Sequence, residues 1–145
     1  LGGPHLDLEA RGMIGGISRA TSKAHIARAM LEGIAWRCAE AAVALGGENG
    51  AERIRVAGGA AANDLLLQLV ADASGAEVQR PALLDRAALG AAYLAQRALG
   101  LTTDQEISER WRADQSFTPS WSQDERATRR EKWLSRIALS RAAGT

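Results

Sequence analysis

The sequence predicts an α/β fold with parallel strand pairing, and only part of one. Short β-branched runs alternate with helical patterns through the first two thirds of the chain, as in strands joined by helical crossovers. Glycines and a proline punctuate the junctions. Strand patterns are visible only at residues 12–18, 54–57 and 77–80, whereas a typical sheet holds about five to six strands. So small a sheet leaves edges of unpaired backbone. Part of the sheet is therefore expected to lie outside this chain. A first residue of Leu1, not Met, is compatible with a piece of a longer protein.

The 145 residues suffice for one domain with a core. A net charge of +1 gives no support for nucleic acid or an anionic membrane as partner. Cys38 is the single cysteine, which excludes an internal disulfide and a cysteine metal site and fits a reducing cytoplasm. No apolar run is long enough to span a bilayer, and no signal-peptide pattern opens the chain. Abundant alanine and few aromatics predict closely packed helices.

Residues 1–11 read as an irregular lead with a turn at Gly2-Gly3-Pro4 and a surface histidine, His5. Residues 12–18 can form a strand loosened by glycines. Thr21 or Ser22 then caps a long helix over residues 22–45, about 36 Å at roughly 1.5 Å per residue. Ile26, Met30, Ile34 and Cys38 recur at steps of four, with Ala27, Leu31, Ala35 and Ala39 beside them, so a broad apolar stripe that buries Cys38 is expected. His25, in the first turn, is expected to pack or hydrogen-bond. Gly46-Gly47 ends the helix.

After a polar link comes the stretch that organises the rest, Ile54-Arg55-Val56-Ala57-Gly58-Gly59-Ala60-Ala61-Ala62-Asn63-Asp64. It reads as a strand, a glycine turn and a helix start, with Asn63 or Asp64 as the cap. Two glycines admit a ligand close to backbone, and a helix N-terminus favours negative charge, so the pattern suits a nucleotide as well as an ordinary β-to-α turn. The following helix stops at Gly75, and residues 77–80 form a strand closed by Pro81. The helix over residues 85–99 is small and apolar nearly all round, predicting burial, with Gly90 allowing close approach to a neighbour. Thr103-Asp104-Gln105-Glu106 and Ser122-Gln123-Asp124-Glu125 are capping-box patterns for two more helices, to Trp111 and to about Ala142. Between them Ser116-Phe117-Thr118-Pro119 is extended. In the last helix the run around Arg126, Arg129, Arg130, Glu131 and Lys132 reads as a solvated face, and Trp133, Leu134, Ile137 and Ala138 as the packed side.

Several of these pieces, in order, resemble the C-terminal part of the glycerol kinases in the FGGY sugar-kinase family. They are Leu1-Gly2-Gly3-Pro4, residues 10–17, residues 25–35, Arg55 through Asn63, Arg80-Pro81, residues 88–95, and Phe117-Thr118-Pro119 with Trp133. The resemblance covers nearly the whole chain. It implies a partial ribonuclease-H-like, actin-like ATPase domain: few short strands, a long helix, two packed helices and a helical C-terminal tail. Residues 1–101 would be the α/β part and residues 102–145 the helical tail. It also implies that Gly58, Gly59 and Ala60 line an adenosine with backbone and that Asn63 reaches it with its side-chain amide. Only glycine brings main chain against a ribose or purine without a Cβ between, and an amide both donates and accepts. The chain departs from the family pattern at Ala57, where Asp is frequent, and at Ala87, where Thr is frequent.

By the same resemblance the catalytic Asp, the acceptor site and the phosphate loops lie upstream, so no catalytic residue and no metal ligand is assigned in this chain. The implied cofactor is ATP/ADP with Mg²⁺, the metal held mainly by residues outside the chain. The implied partners are the missing N-terminal kinase portion and a small polyol or sugar, with a homo-oligomer open. Alone, the chain is expected to be inactive. Two alternatives stand beside a glycerol kinase: a stand-alone, non-catalytic module that dimerises or binds nucleotide, and a kinase for another sugar such as xylulose or gluconate.

Overall fold

A computed structural model of the chain describes residues 6–46 and 50–143. The turn at Gly2-Gly3-Pro4, His5 and Gly47 lie outside the described residues. The helix that follows the glycine turn, α2 (Asp64–Ser74) in the numbering below, sits at the centre. Leu66, Leu67, Leu69, Val70, Ala71, Asp72 and Ala73 are all buried, seven of its eleven residues, so almost every side of it meets protein. It ends at Gly75, in the left-handed region at φ 74°, whose N–H returns to the Ala71 carbonyl at 2.8 Å. A Cβ at Gly75 would also come within 2.7 Å of the Arg126 guanidinium, which would have to shift, and the left-handed φ itself disfavours a larger residue.

Helix α1 (Lys23–Gly46) covers one flank of α2 through Ala35, Trp36 and Ala39, with Leu31 beside them. The expected stripe is only half right. Met30 is 65% exposed, Ile34 48%, and Cys38 is exposed as well. Two rows at steps of four lie one residue apart, and only one can face α2. The row with Ala35 and Ala39 lets the helix axes approach, and those two are buried, with Leu31 half-buried and Ala27 exposed. Partial desolvation still raises the Cys38 thiol pKa. His25 hydrogen-bonds as expected: its Nδ1 accepts the Ser22 N–H at 3.1 Å at the helix start.

The other flank of α2 rests on a sheet of β1 (Arg53–Arg55), β2 (Glu77–Arg80) and β3 (Gln115–Phe117), in the order β1-β2-β3. The β1 and β2 strands are parallel, Ile54 opposite Val78, as the crossover through α2 requires. By contrast β3 is antiparallel to β2, Val78 opposite Phe117. Residues 12–18 are not a strand: Met13, Ile14 and Ile17 are exposed, and Gly12, Gly15 and Gly16 sit among them without a pairing partner. The third strand comes instead from the stretch read as merely extended. Val78 is fully buried and Phe117 is 7% exposed, both against α2.

Helix α3 (Ala87–Ala98) corrects a second expectation. It has no buried residue, Leu94 is 64% exposed, and a Cβ at Gly90 would meet nothing within 4 Å. The apolar face is only partly covered: Leu89, Gly90 and Tyr93 are half-buried, with Arg110 5.4 Å from the Tyr93 ring centre, and the rest is exposed. Helix α4 (Asp104–Glu109) carries the complete capping box at Thr103 and Glu106. Helix α5 (Gln123–Ala142) begins at Ser122, whose Oγ accepts the Glu125 N–H at 3.2 Å. Its charged run is largely exposed and Ile137 is buried, as expected, while Leu134 and Ala138 are exposed. The lead into α5 is tied down by Asp72, 3% exposed, which accepts from the Ser120 N–H at 2.6 Å and Oγ at 2.9 Å and from Gln68 Nε2 at 3.0 Å.

Leu69, 2% exposed at the centre of α2, should be the most sensitive apolar position. Leu69→Ala is expected to cost about 2–5 kcal/mol in urea denaturation. A second expectation concerns acid. The Thr103 N–H, with the Thr102 hydroxyl, holds the Glu106 carboxyl below its usual 4.5. The native form then binds fewer protons than the unfolded chain, so this support is present above pH 4.5 and is lost as pH falls through the lowered value. Amide protection factors in Asp104–Glu109, corrected for the intrinsic pH dependence of exchange, should fall on acidification, and Glu106→Gln should flatten that dependence.

Candidate functional site

The glycine turn joins β1 to α2. Val56 donates to the Gln79 carbonyl at 3.0 Å and keeps the chain on the sheet until Ala57. Gly58 then takes φ 93°, ψ 170°, a region open in practice only to glycine. Its N–H donates to the Leu84 carbonyl at 2.8 Å, and its own carbonyl accepts the Ala61 N–H at 3.0 Å. Those bonds start a single 3-10 turn, Gly59–Ala62, closed by Asn63 N–H on the Ala60 carbonyl at 3.2 Å. Ala61 is 3% exposed and roots the turn, while Gly58, Gly59, Ala60 and Asn63 all reach the surface together.

A Cβ built at Gly58 or Gly59 would meet nothing within 4 Å. No packing in the described residues explains a glycine at position 59, and its φ is not left-handed. What the two glycines leave is bare main chain facing open space, a surface a flat ligand can lie against. Asn63 is the α2 cap: its Oδ1 accepts the Leu66 N–H at 3.1 Å. Only the oxygen can accept that proton, so the bond fixes the amide orientation. Both Nδ2 hydrogens are left without a protein acceptor among the described residues. The residues present therefore fit the nucleoside part of a nucleotide, with backbone as the wall and the Asn63 Nδ2 as donor.

Arg80 is the residue that sequence reasoning passed over. One terminal nitrogen of its guanidinium donates to the Ala61 carbonyl at 2.9 Å and to Asp64 Oδ1 at 2.6 Å; the other donates to the Gln115 Oε1. The group also lies 5.5 Å from the Phe117 ring centre. The available signal was an arginine at the last position of a strand, before a proline.

Two recesses lie elsewhere. One of about 360 Å³ opens between Arg55, α3 and α4, where Arg55 and Arg86 sit 4.8 and 4.7 Å from the Trp111 ring centre. Another of about 590 Å³ lies between α1 and α5 beside Trp36 and Trp133. None of Gly58, Gly59, Ala60 or Asn63 lines either one. The turn is an open wall, not a closed pocket. Among the described residues no group of three or more His, Cys, Asp or Glu side chains could hold a metal.

Comparison with known proteins shows the family. The C-terminal domain pattern of the FGGY family of carbohydrate kinases matches residues 1–99. The chain belongs to this family. It is 46% identical to the glycerol kinase of Rhodopirellula baltica over 144 residues, which covers 97% of this chain and 27% of that protein. With the glycerol kinase of Deinococcus radiodurans it shares 44% identity, covering 97% of the chain and 29% of the relative. The chain thus spans less than a third of the length of these relatives and corresponds to their C-terminal part.

Among solved structures, a Plasmodium falciparum glycerol kinase with ADP superimposes with a TM-score of 0.81 at 24% identity, over 95% of this chain and 28% of that one. A ligand-bound xylulose kinase from Lactobacillus acidophilus gives 0.76 at 30% identity, over 97% of this chain and 29% of that one. The fold is therefore that of the FGGY kinases, the actin-like ATPase fold.

Two substitutions separate the local roles in the turn. Asn63→Ala removes the α2 cap and should cost about 1 kcal/mol of stability, whereas Asn63→Asp keeps an acceptor there and should cost less. Gly58→Ala forces a side chain into φ 93°, and should cost on the order of 1–3 kcal/mol in chemical denaturation.

Proposed function

We propose that this chain is the C-terminal part of an ATP-dependent glycerol kinase and supplies the adenosine-side wall of its nucleotide site. The observation that carries the reading is the match to glycerol kinases at 44–46% identity along 97% of the chain. The exposed turn supports the placement. Gly58, Gly59 and Ala60 would offer main chain to the nucleoside, and Asn63 its free Nδ2 hydrogens to an acceptor on the purine or ribose. In this reading residues 1–101 form the α/β part and residues 102–145 the helical tail, and the enzyme works in the cytoplasm.

The whole enzyme would move the γ-phosphoryl group of ATP to a glycerol hydroxyl, giving ADP and glycerol 3-phosphate. That chemistry rests on Mg²⁺, phosphate-binding groups and a base for the hydroxyl proton. No residue of this chain takes those roles in the reading, so the chain alone is inactive. It binds nucleotide weakly, because one wall buries too little of a ligand. A xylulose or gluconate acceptor is the second reading. Kinases for both are structural neighbours, at TM-scores of 0.76 and 0.74.

A chimera tests the assignment: this chain replaces the corresponding C-terminal part of the Rhodopirellula baltica glycerol kinase. A folded chimera should phosphorylate glycerol from ATP, and a folded but inactive one counts against the reading. In the active chimera, Asn63→Asp should weaken ADP binding by roughly 1–2 kcal/mol in calorimetry, the worth of a lost donor. Unchanged affinity removes Asn63 from the site.

A further inference from the structure

We propose that Arg80 is the positioning residue of the nucleotide turn and that it transmits the placement of β3 into that turn. The inference rests on the reading of residues 58–63 as the adenosine wall.

Asn63 is gripped on both sides by one guanidinium. Arg80 takes the carbonyl of Ala61, two residues before it, and the carboxylate of Asp64, the residue after it. Arg80 thus ties the residues flanking Asn63 to each other, and with the Leu66 bond it helps to set where the Asn63 Nδ2 stands. The turn's other end hangs from the same strand exit, through Gly58 N–H on the Leu84 carbonyl at 2.8 Å. The segment leaving β2 thus suspends both ends of the turn.

Arg80 is itself located from behind. Gln115 of β3 accepts from its second terminal nitrogen, and the Phe117 ring lies 5.5 Å away. Its side chain is 14% exposed, while that of its partner Asp64 is 63% exposed. An ion pair with so exposed a carboxylate adds little stability. The contacts are better matched to orientation. A planar fork can serve the Ala61 carbonyl, the Asp64 carboxylate and the Gln115 amide at once, and a lysine ammonium cannot reach all three. Ligand sites need their groups held within about 0.5 Å, and a turn on an open surface has no surrounding packing to do this.

The test is a Mg·ADP titration of the active chimera described above, followed by amide NMR, with melting temperatures alongside. The parent should show saturable shifts centred on residues 58–64. Arg80→Lys should weaken ADP about three- to tenfold, the scale of one or two misplaced polar contacts. Gln115→Ala removes the rear support at an exposed position, so it guards against a misfolded Arg80 variant. It should weaken ADP in the same direction, shift the Asn63 side-chain amide resonance, and melt where the parent melts. An arginine with only a structural role would change melting and leave ADP affinity alone. If the parent binds and both variants bind equally well, the inference falls and the adenosine wall stands. If the parent shows no saturable shift at millimolar ADP, the placement of the wall falls and takes this inference with it.

Discussion

The structure depends on the burial of α2. This one helix touches α1, the sheet and the lead into α5, and its sequence carries apolar or small side chains on almost every side to do so. Among the described residues Asp72 is the one buried carboxylate, and it shows the same logic with polar chemistry. A charge removed from water has to be met by donors, and Ser120 and Gln68 supply them. The donors in turn fix the chain after β3. The C-terminal segment is thus held against the core by hydrogen bonds to a buried acid as well as by apolar contact.

The glycine turn is the N-terminal consequence of that burial. The buried body of α2 supports its first turn, and Asn63 as cap inherits the helix position. The turn before it is the opposite case, with main chain exposed and little packing. The molecule combines the two by anchoring an open turn at discrete points: Ala61 buried beneath, Gly58 on Leu84, and Arg80 across the junction. Rigid support and bare surface are both needed where a ligand is to meet backbone.

Much of this was legible in the residues. Caps and terminators located α2, α4 and α5 closely, because Asn63, Gly75, Thr103 and Ser122 act through local bonds that depend only on near neighbours. The parallel pair β1 and β2 followed from the crossover. What failed was tertiary. Periodicity could not tell which of two adjacent rows of α1 would face α2, and it marked α3 as buried although the structure leaves that helix without a buried residue. Residues 12–18 had strand-like composition without a partner, and β3 had a partner without strand-like length. Arg80 was invisible for a related reason, since its contacts join positions as far apart as 61 and 115.

The antiparallel return of β3 has a consequence for synthesis. Its pairing with β2 joins Val78 to Phe117, so the strands meet across 117 − 78 = 39 residues. A ribosome makes the chain from its N-terminus, at about 5–20 residues per second. The glycine turn emerges well before the strand that backs Arg80. Until Gln115 and Phe117 have left the exit tunnel, the nascent turn has its glycines and its cap but no rear anchor. A strand made later thus completes a surface whose visible residues were all made earlier.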